Sequence, residues 1–193
     1  MGCDGSKVAD VIETNQQESE EDVDFTGEET DTIRSTWPLL ANDIETVGVK
    51  VFLRVFYEEP KVRHVFKRFA DMEEAELMRS EAFKDHAIKF MKIVDDLVDN
   101  MDKPKTKIQQ TLMMLGAKHA TFEGFRIEYF AAFSKSLIDV WEYTIGEEFI
   151  PEVRDCWIDF FNYLVKYMCQ GYNIFINDVE IACNGDSHKL RSE

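Results

Sequence analysis

A stripe of basic side chains is missing from this 193-residue chain, and so are paired cysteines and any long apolar run. With 22 Lys and Arg against 38 Asp and Glu, the net charge is −16. Binding a nucleic-acid backbone needs clustered cations, so that class of partner is excluded. Four cysteines stand at 3, 156, 169 and 183, with no CxxC pair and no metal-ligand spacing. Cys156 and Cys169 fall on one expected helix, about 20 Å of rise apart, and cannot bond to each other there. This usage fits free thiols in a reducing compartment. No stretch reaches the roughly 18 apolar residues of a membrane span, and the N-terminus lacks the apolar core of a signal peptide. Internal repeats and sustained period-two alternation are also missing, which leaves an all-α domain as the expected class. No activated Ser or Cys and no carboxylate pair stands out, so a dedicated catalytic set is not expected.

What the chain does have is bulk. Apolar residues make up 45 % and aromatics 12 %, with fifteen Phe, more ring volume than a thin helical hairpin could bury. Such a core suits either a tightly packed helical domain or a large flat cofactor. The acidity is uneven. Residues 1–30 hold ten acidic side chains against one base, Lys7, while the remaining 28 acids and 21 bases leave only −7. The expected layout is an acidic, disordered tail over 1–27, one folded domain over 28–176 and a C-terminal tail over 177–193. The tail begins Met1-Gly2-Cys3-Asp4-Gly5-Ser6-Lys7, which fits the pattern for N-myristoylation at Gly2. Cys3 offers a site for palmitoylation, and a second acyl chain is what makes anchoring stable. The acidic stretch behind it is repelled by the anionic cytoplasmic leaflet and cannot act as a polybasic helper. The alternative is an unmodified acidic tail.

From Thr26 onward the apolar spacing is helical. Thr26 and Glu29 form a capping-box pair, and Ile33, Trp37 and Leu40 follow at steps of four and three. A second segment carries Val47, Val51, Phe52, Val55 and Phe56 and stops before Pro60, which can itself open a short helix to Phe66. Over 79–100, Phe83, His86, Phe90, Ile93 and Leu97 form one stripe; Pro104 then breaks the chain. Leu112, Leu115 and His119 mark another helix, and two aromatic-rich segments, about 125–144 and 147–176, close the domain.

Only four histidines are present. His64 lies among charged neighbours and His188 in the tail, where both are expected to be solvated. His86 and His119 each fall inside an apolar stripe, where a buried imidazole costs free energy unless its nitrogens are satisfied. Backbone carbonyls could do that, and so could iron. A haem needs an axial imidazole, apolar walls and cations near its rim. His119 can ligate, His86 stands on another helix, phenylalanines lie near both, and Lys89 is one turn after His86. Both readings stand on these residues alone.

A longer set of fragments separates them. Ile33-Arg34-Ser35-Thr36-Trp37, Gly48-Val49-Lys50-Val51-Phe52-Leu53-Arg54-Val55-Phe56, Glu59-Pro60 and Val65-Phe66 come first. Asp85-His86 with Lys89-Phe90, Leu115-Gly116-Ala117-Lys118-His119-Ala120, and a last helix with Trp157 and Met168 follow in order. Over about Glu28 to Tyr172 the chain resembles a globin, most of all the neuroglobin and globin X branch. The resemblance implies a globin fold of about eight helices, three over three, around haem b (iron protoporphyrin IX). It implies His119 as proximal and His86 as distal iron ligand. Phe66 would wedge the haem, Phe52 and Phe90 would line the distal side, and Leu115 and Phe125 the proximal side. An acylated start also fits the globin X branch. No cysteine lies between Phe66 and His86, so the disulfide that some neuroglobins form there is not expected.

The implied function is reversible binding of O2, CO or NO at ferrous iron, with both histidines on the iron in the unliganded state. The alternative is a membrane-associated redox globin working by electron transfer, nitrite reduction or redox sensing, served by an unknown reductase. A cofactor-free helical interaction protein is the third class. A monomer is expected, cytoplasmic and anchored to the inner face of the plasma membrane through Gly2 and Cys3.

Overall fold

The computed structural model describes residues 25–102 and 105–189. Among them are eight α-helices and no strand. They are α1 (Gly27–Ala41), α2 (Ile44–Glu58), α3 (Pro60–Val65), α4 (Glu74–Leu77), α5 (Glu81–Asp99), α6 (Lys105–Ala120), α7 (Tyr129–Ile145) and α8 (Pro151–Lys189). A single 3-10 turn, Gly146–Glu148, joins α7 to α8. The helices α1, α5 and α6 cover α2, α7 and α8, three over three. This is the all-α globin arrangement that the sequence led us to expect.

Local chemistry fixes most of the starts. Thr26 accepts from the Glu29 amide at 3.1 Å while the Glu29 carboxylate accepts from the Thr26 amide at 2.6 Å, completing a capping box. Asp43 caps α2 by accepting from the Thr46 amide at 3.1 Å, and Ser80 caps α5 through the Phe83 amide at 3.4 Å. Pro60 and Pro151 open α3 and α8, where a missing N–H costs nothing.

Three features differ from the expectation. The short α4 has no counterpart in the sequence reading, because four residues hold little more than one helical period. The helix expected from 125 begins only at Tyr129: Gly124 takes φ +81° and turns the chain, leaving Phe125 outside the helix. At the other end α8 runs to Lys189 instead of stopping near 176. Residues 173, 174 and 177–179 on it are exposed. No proline follows to end the helix, and elongation needs no new nucleus.

The core away from the histidines is built on three tryptophans. Trp37, Trp141 and Trp157 are all buried, with ring centroids 5.8–6.5 Å apart. Trp37 Nε1 donates to Asp95 at 2.6 Å and Trp157 Nε1 to the Thr36 hydroxyl at 3.0 Å, so α1 is tied to α5 and to α8. The other pole is Phe52 on α2, 2 % exposed, whose burial contributes roughly 1.5–3 kcal/mol. Next to it α2 crosses α5 closely. A Cβ on Gly48 would lie 2.8 Å from Met91 Cγ and 2.9 Å from the Ala87 carbonyl oxygen.

Candidate functional site

His119 stands in the last turn of α6, where its Nδ1 lies 2.8 Å from the carbonyl oxygen of Leu115. A carbonyl can only accept, so Nδ1 carries the proton and donates it. Nε2 is left with its lone pair. Phe125 and Phe130 hold the ring at centroid distances of 5.0 and 5.3 Å, and the exposed Phe122 lies at 5.6 Å. Burial is the main cause that pushes the His119 pKa below the ordinary imidazole value, against the opposing Leu115 bond. Burial thus favours the neutral imidazole, the form a metal requires.

His86 stands on α5 and differs in almost every respect. Its ring packs edge-on against Phe52 at 5.0 Å and Phe66 at 5.1 Å. It remains exposed, and no hydrogen bond to it is found among the described residues. Its pKa is also lowered, first by the desolvation of the ring face that lies against those phenylalanines, while the rest of the ring meets solvent, and then by Lys89. The two imidazoles come from separate helices, α5 and α6, and α7 links them: Phe130 touches His119, and Phe133 touches Phe52 beneath His86.

One detail of α5 corrects the stripe read from sequence. The buried set is Phe83, Ala87, Met91, Val94, Leu97 and Val98. His86, Phe90 and Ile93 lie one position off, on the flank of that face. The helix thus has a fully buried face and, one position round, a flank on which Phe90 and Ile93 are half-buried and His86 is exposed. A pattern of apolar letters cannot separate the two.

The remaining site residues fall around the pair. Phe66 closes α3 as its C-cap and touches Phe52 at 5.8 Å as well as His86. Phe90 reaches Phe52 at 5.5 Å, and Lys89 is exposed beside it on α5. Leu115 is half-buried and supplies the carbonyl that orients His119. Phe125 follows the Gly124 turn, half-buried, with its carbonyl accepting from the Tyr172 hydroxyl at 3.4 Å. His64 is exposed on α3. Cys156 and Cys169 are free thiols. Gly2, Cys3 and the side chain of His188 lie outside the described residues.

Sequence reasoning left out Phe130 and Phe133 as site residues. The first touches His119, and the second lies 5.3 Å from Phe52 and 6.0 Å from Phe90. Their three-residue spacing on α7 places both on one face and was the available signal.

The donor set fits a haem. Among the described residues no group of three or more His, Cys, Asp or Glu could hold a metal by itself. Two imidazoles from separate helices suit the axial positions of a metal whose other ligands come from a macrocycle. Phenylalanines border both, and a lysine lies at the edge.

Similarity to known proteins gives the family and the fold. The globin family model matches residues 49–168. The chain belongs to the globin family. Among relatives of this globin, cytoglobin-2 of Danio rerio is 31 % identical over 126 residues, 65 % of this chain and 70 % of that protein. Neuroglobin-1 of Oncorhynchus mykiss is 28 % identical over 149 residues, 77 % of this chain and 92 % of its own length. In fold, this globin is similar to a hexacoordinated heme protein from an anhydrobiotic tardigrade. The TM-score is 0.73 at 19 % identity, over 77 % of this chain and 96 % of the other.

Proposed function

We propose that this globin binds haem b between His119 and His86 and reversibly takes O2, CO or NO at the ferrous iron. The observation that carries the reading is the fixed tautomer of His119, whose Nδ1 donates to Leu115 and leaves Nε2 available. Haem, when bound, supplies an iron that can take a diatomic gas or pass an electron. His119, oriented by Leu115 and walled by Phe125, would hold the iron as the proximal ligand. Phe52, Phe66 and Phe90 would give the distal side an apolar wall, and Lys89 would be the cation for a propionate. His86 has no hydrogen bond among the described residues to hold its ring back, so it would be free to reach the iron and to give way to a gas. Observed affinity then falls by the fraction of closed sites.

Replacing His86 by leucine tests this. CO association to the ferrous protein is expected to speed up by about tenfold or more, the factor set by the closed population. An unchanged rate in flash photolysis would show that His86 does not compete for the iron.

The same pair of imidazoles supports a second reading, a redox globin working by electron transfer, nitrite reduction or redox sensing. Two identical axial ligands let an electron pass with little rearrangement. With Gly2 and Cys3 acylated, this monomeric globin would act in the cytoplasm, at the inner face of the plasma membrane, with a reductase as partner. Fast autoxidation in air favours the redox reading; a long-lived gas complex favours O2 binding.

A further inference from the structure

α6 and α8 meet backbone to backbone. A Cβ on Gly116 would lie 1.9 Å from the carbonyl oxygen of Met168, and one on Gly171 would lie 1.9 Å from that of Met113. Ordinary van der Waals contact begins near 3.4 Å, so a methyl at either position would drive the helices about 1.5 Å apart. The obstacles are backbone atoms and cannot swing aside. The crossing at Gly48 is softer on one count, since its nearest neighbour is the side chain of Met91.

This crossing sits directly behind the proximal histidine. Gly116 follows Leu115, the residue that orients His119, and precedes His119 by three positions. Two more bonds flank it. Gln109 Nε2 donates to the Tyr167 hydroxyl at 2.8 Å toward the start of α6, and the Tyr172 hydroxyl donates to the Phe125 carbonyl beyond its end. None of these contacts uses haem. Glycine weakens a helix interior relative to alanine, and the close approach is a reason for each helix to carry one opposite a methionine backbone of the other.

We propose that Gly116 and Gly171 are positioning residues for His119. Their bare backbones let α6 seat on α8 and hold the imidazole in place before haem arrives. A metal ligand tolerates a misplacement of only about 0.5 Å, so opening the crossing would weaken the His119–iron bond while leaving the rest of the fold standing. The inference rests on the haem reading only for what His119 is positioned to bind.

The first arm of the test is peptide-resolved hydrogen exchange on the haem-free, full-length protein. Amides of 113–119 are expected to be protected together with those of 166–172. Exchange of 113–119 as fast as the 121–126 turn, with α8 still protected, would overturn the proposal whether or not any variant folds. The second arm compares hemin loss to an acceptor globin in Gly116→Ala, Gly171→Ala and Leu40→Ala, the last a buried core control on α1. Both glycine variants are expected to lose hemin about tenfold faster, given how steeply function falls with misplacement, with a shifted Soret band. Leu40→Ala is expected to lower Tm and leave both readouts near wild type. Glycine variants that lower Tm and match Leu40→Ala in hemin loss would equally overturn it. Failure of the wild type to take up hemin would defeat the haem reading and leave the exchange result to judge the crossing.

Discussion

The two walls around the histidines are built to different standards. On the α6 side, His119 is fixed by a hydrogen bond from its own ring, by rings on two sides, and by a helix lying backbone to backbone on α8. On the α5 side, His86 leans on Phe52 and Phe66, stays exposed, and has no hydrogen bond among the described residues. Beneath His86, Phe52 is nearly fully buried, while beside His119 Phe130 is buried and Phe125 is half-buried in a loop. Both walls thus have a buried ring, and they differ in how the imidazole itself is held. One leans on rings alone, and the other is hydrogen-bonded on a helix anchored by backbone contact.

The most direct way to break the comparison is to delete each imidazole. His119→Ala is expected to lose stable hemin uptake in a titration, whereas His86→Ala is expected to bind hemin with near wild-type stoichiometry. Equal losses would mean that the two walls are equivalent. Next in size is stability. Phe52→Ala is expected to lower unfolding free energy by about 3–5 kcal/mol as a core truncation. Phe125→Ala, at a half-buried loop site, is expected to cost only about 1 kcal/mol. Urea unfolding of the two haem-free variants checks the order, and a larger cost at Phe125 would reverse it.

The smallest effect concerns the cap of α2, the helix that carries Phe52. The Thr46 side chain first, and then the Thr46 amide that donates to Asp43 at 3.1 Å, hold the Asp43 pKa below the ordinary 3.8. A carboxylate with a lowered folded pKa contributes stability that is present above 3.8 and is lost as pH falls through the folded value. Asp43→Asn keeps the capping oxygen but does not titrate. Its Tm is expected to fall less than that of the wild type between about pH 5 and pH 2, by a difference worth no more than about 1 kcal/mol. Parallel curves would mean that the charge of Asp43 adds nothing.

Most of the fold can be read from short-range chemistry. Capping at Thr26 and prolines at 60 and 151 mark helix starts because they act on the backbone within one turn. The limits are also physical. Four residues of α4 give periodicity nothing to work on, and the end of α8 is marked by no breaker. On α5, apolar residues serve a buried face and a half-buried flank one position apart, and apolar letters mark both alike. The glycine crossing was the least legible feature. Gly116 and Gly171 each look like a flaw in a helix until the partner helix is in place. His86 and His119 stood out for the opposite reason: a rare polar ring among apolar neighbours is visible in one dimension.

The central claim is that both imidazoles serve one haem. The visible absorption spectrum of the purified protein, oxidised and then reduced under argon, tests it most directly. Sharp, split bands in the reduced form, lost in His86→Ala, are the predicted result and mean low-spin iron held from both sides. A single broad band in the wild type would contradict two-histidine ligation and leave an open sixth position. No haem band after hemin is added would contradict the claim altogether.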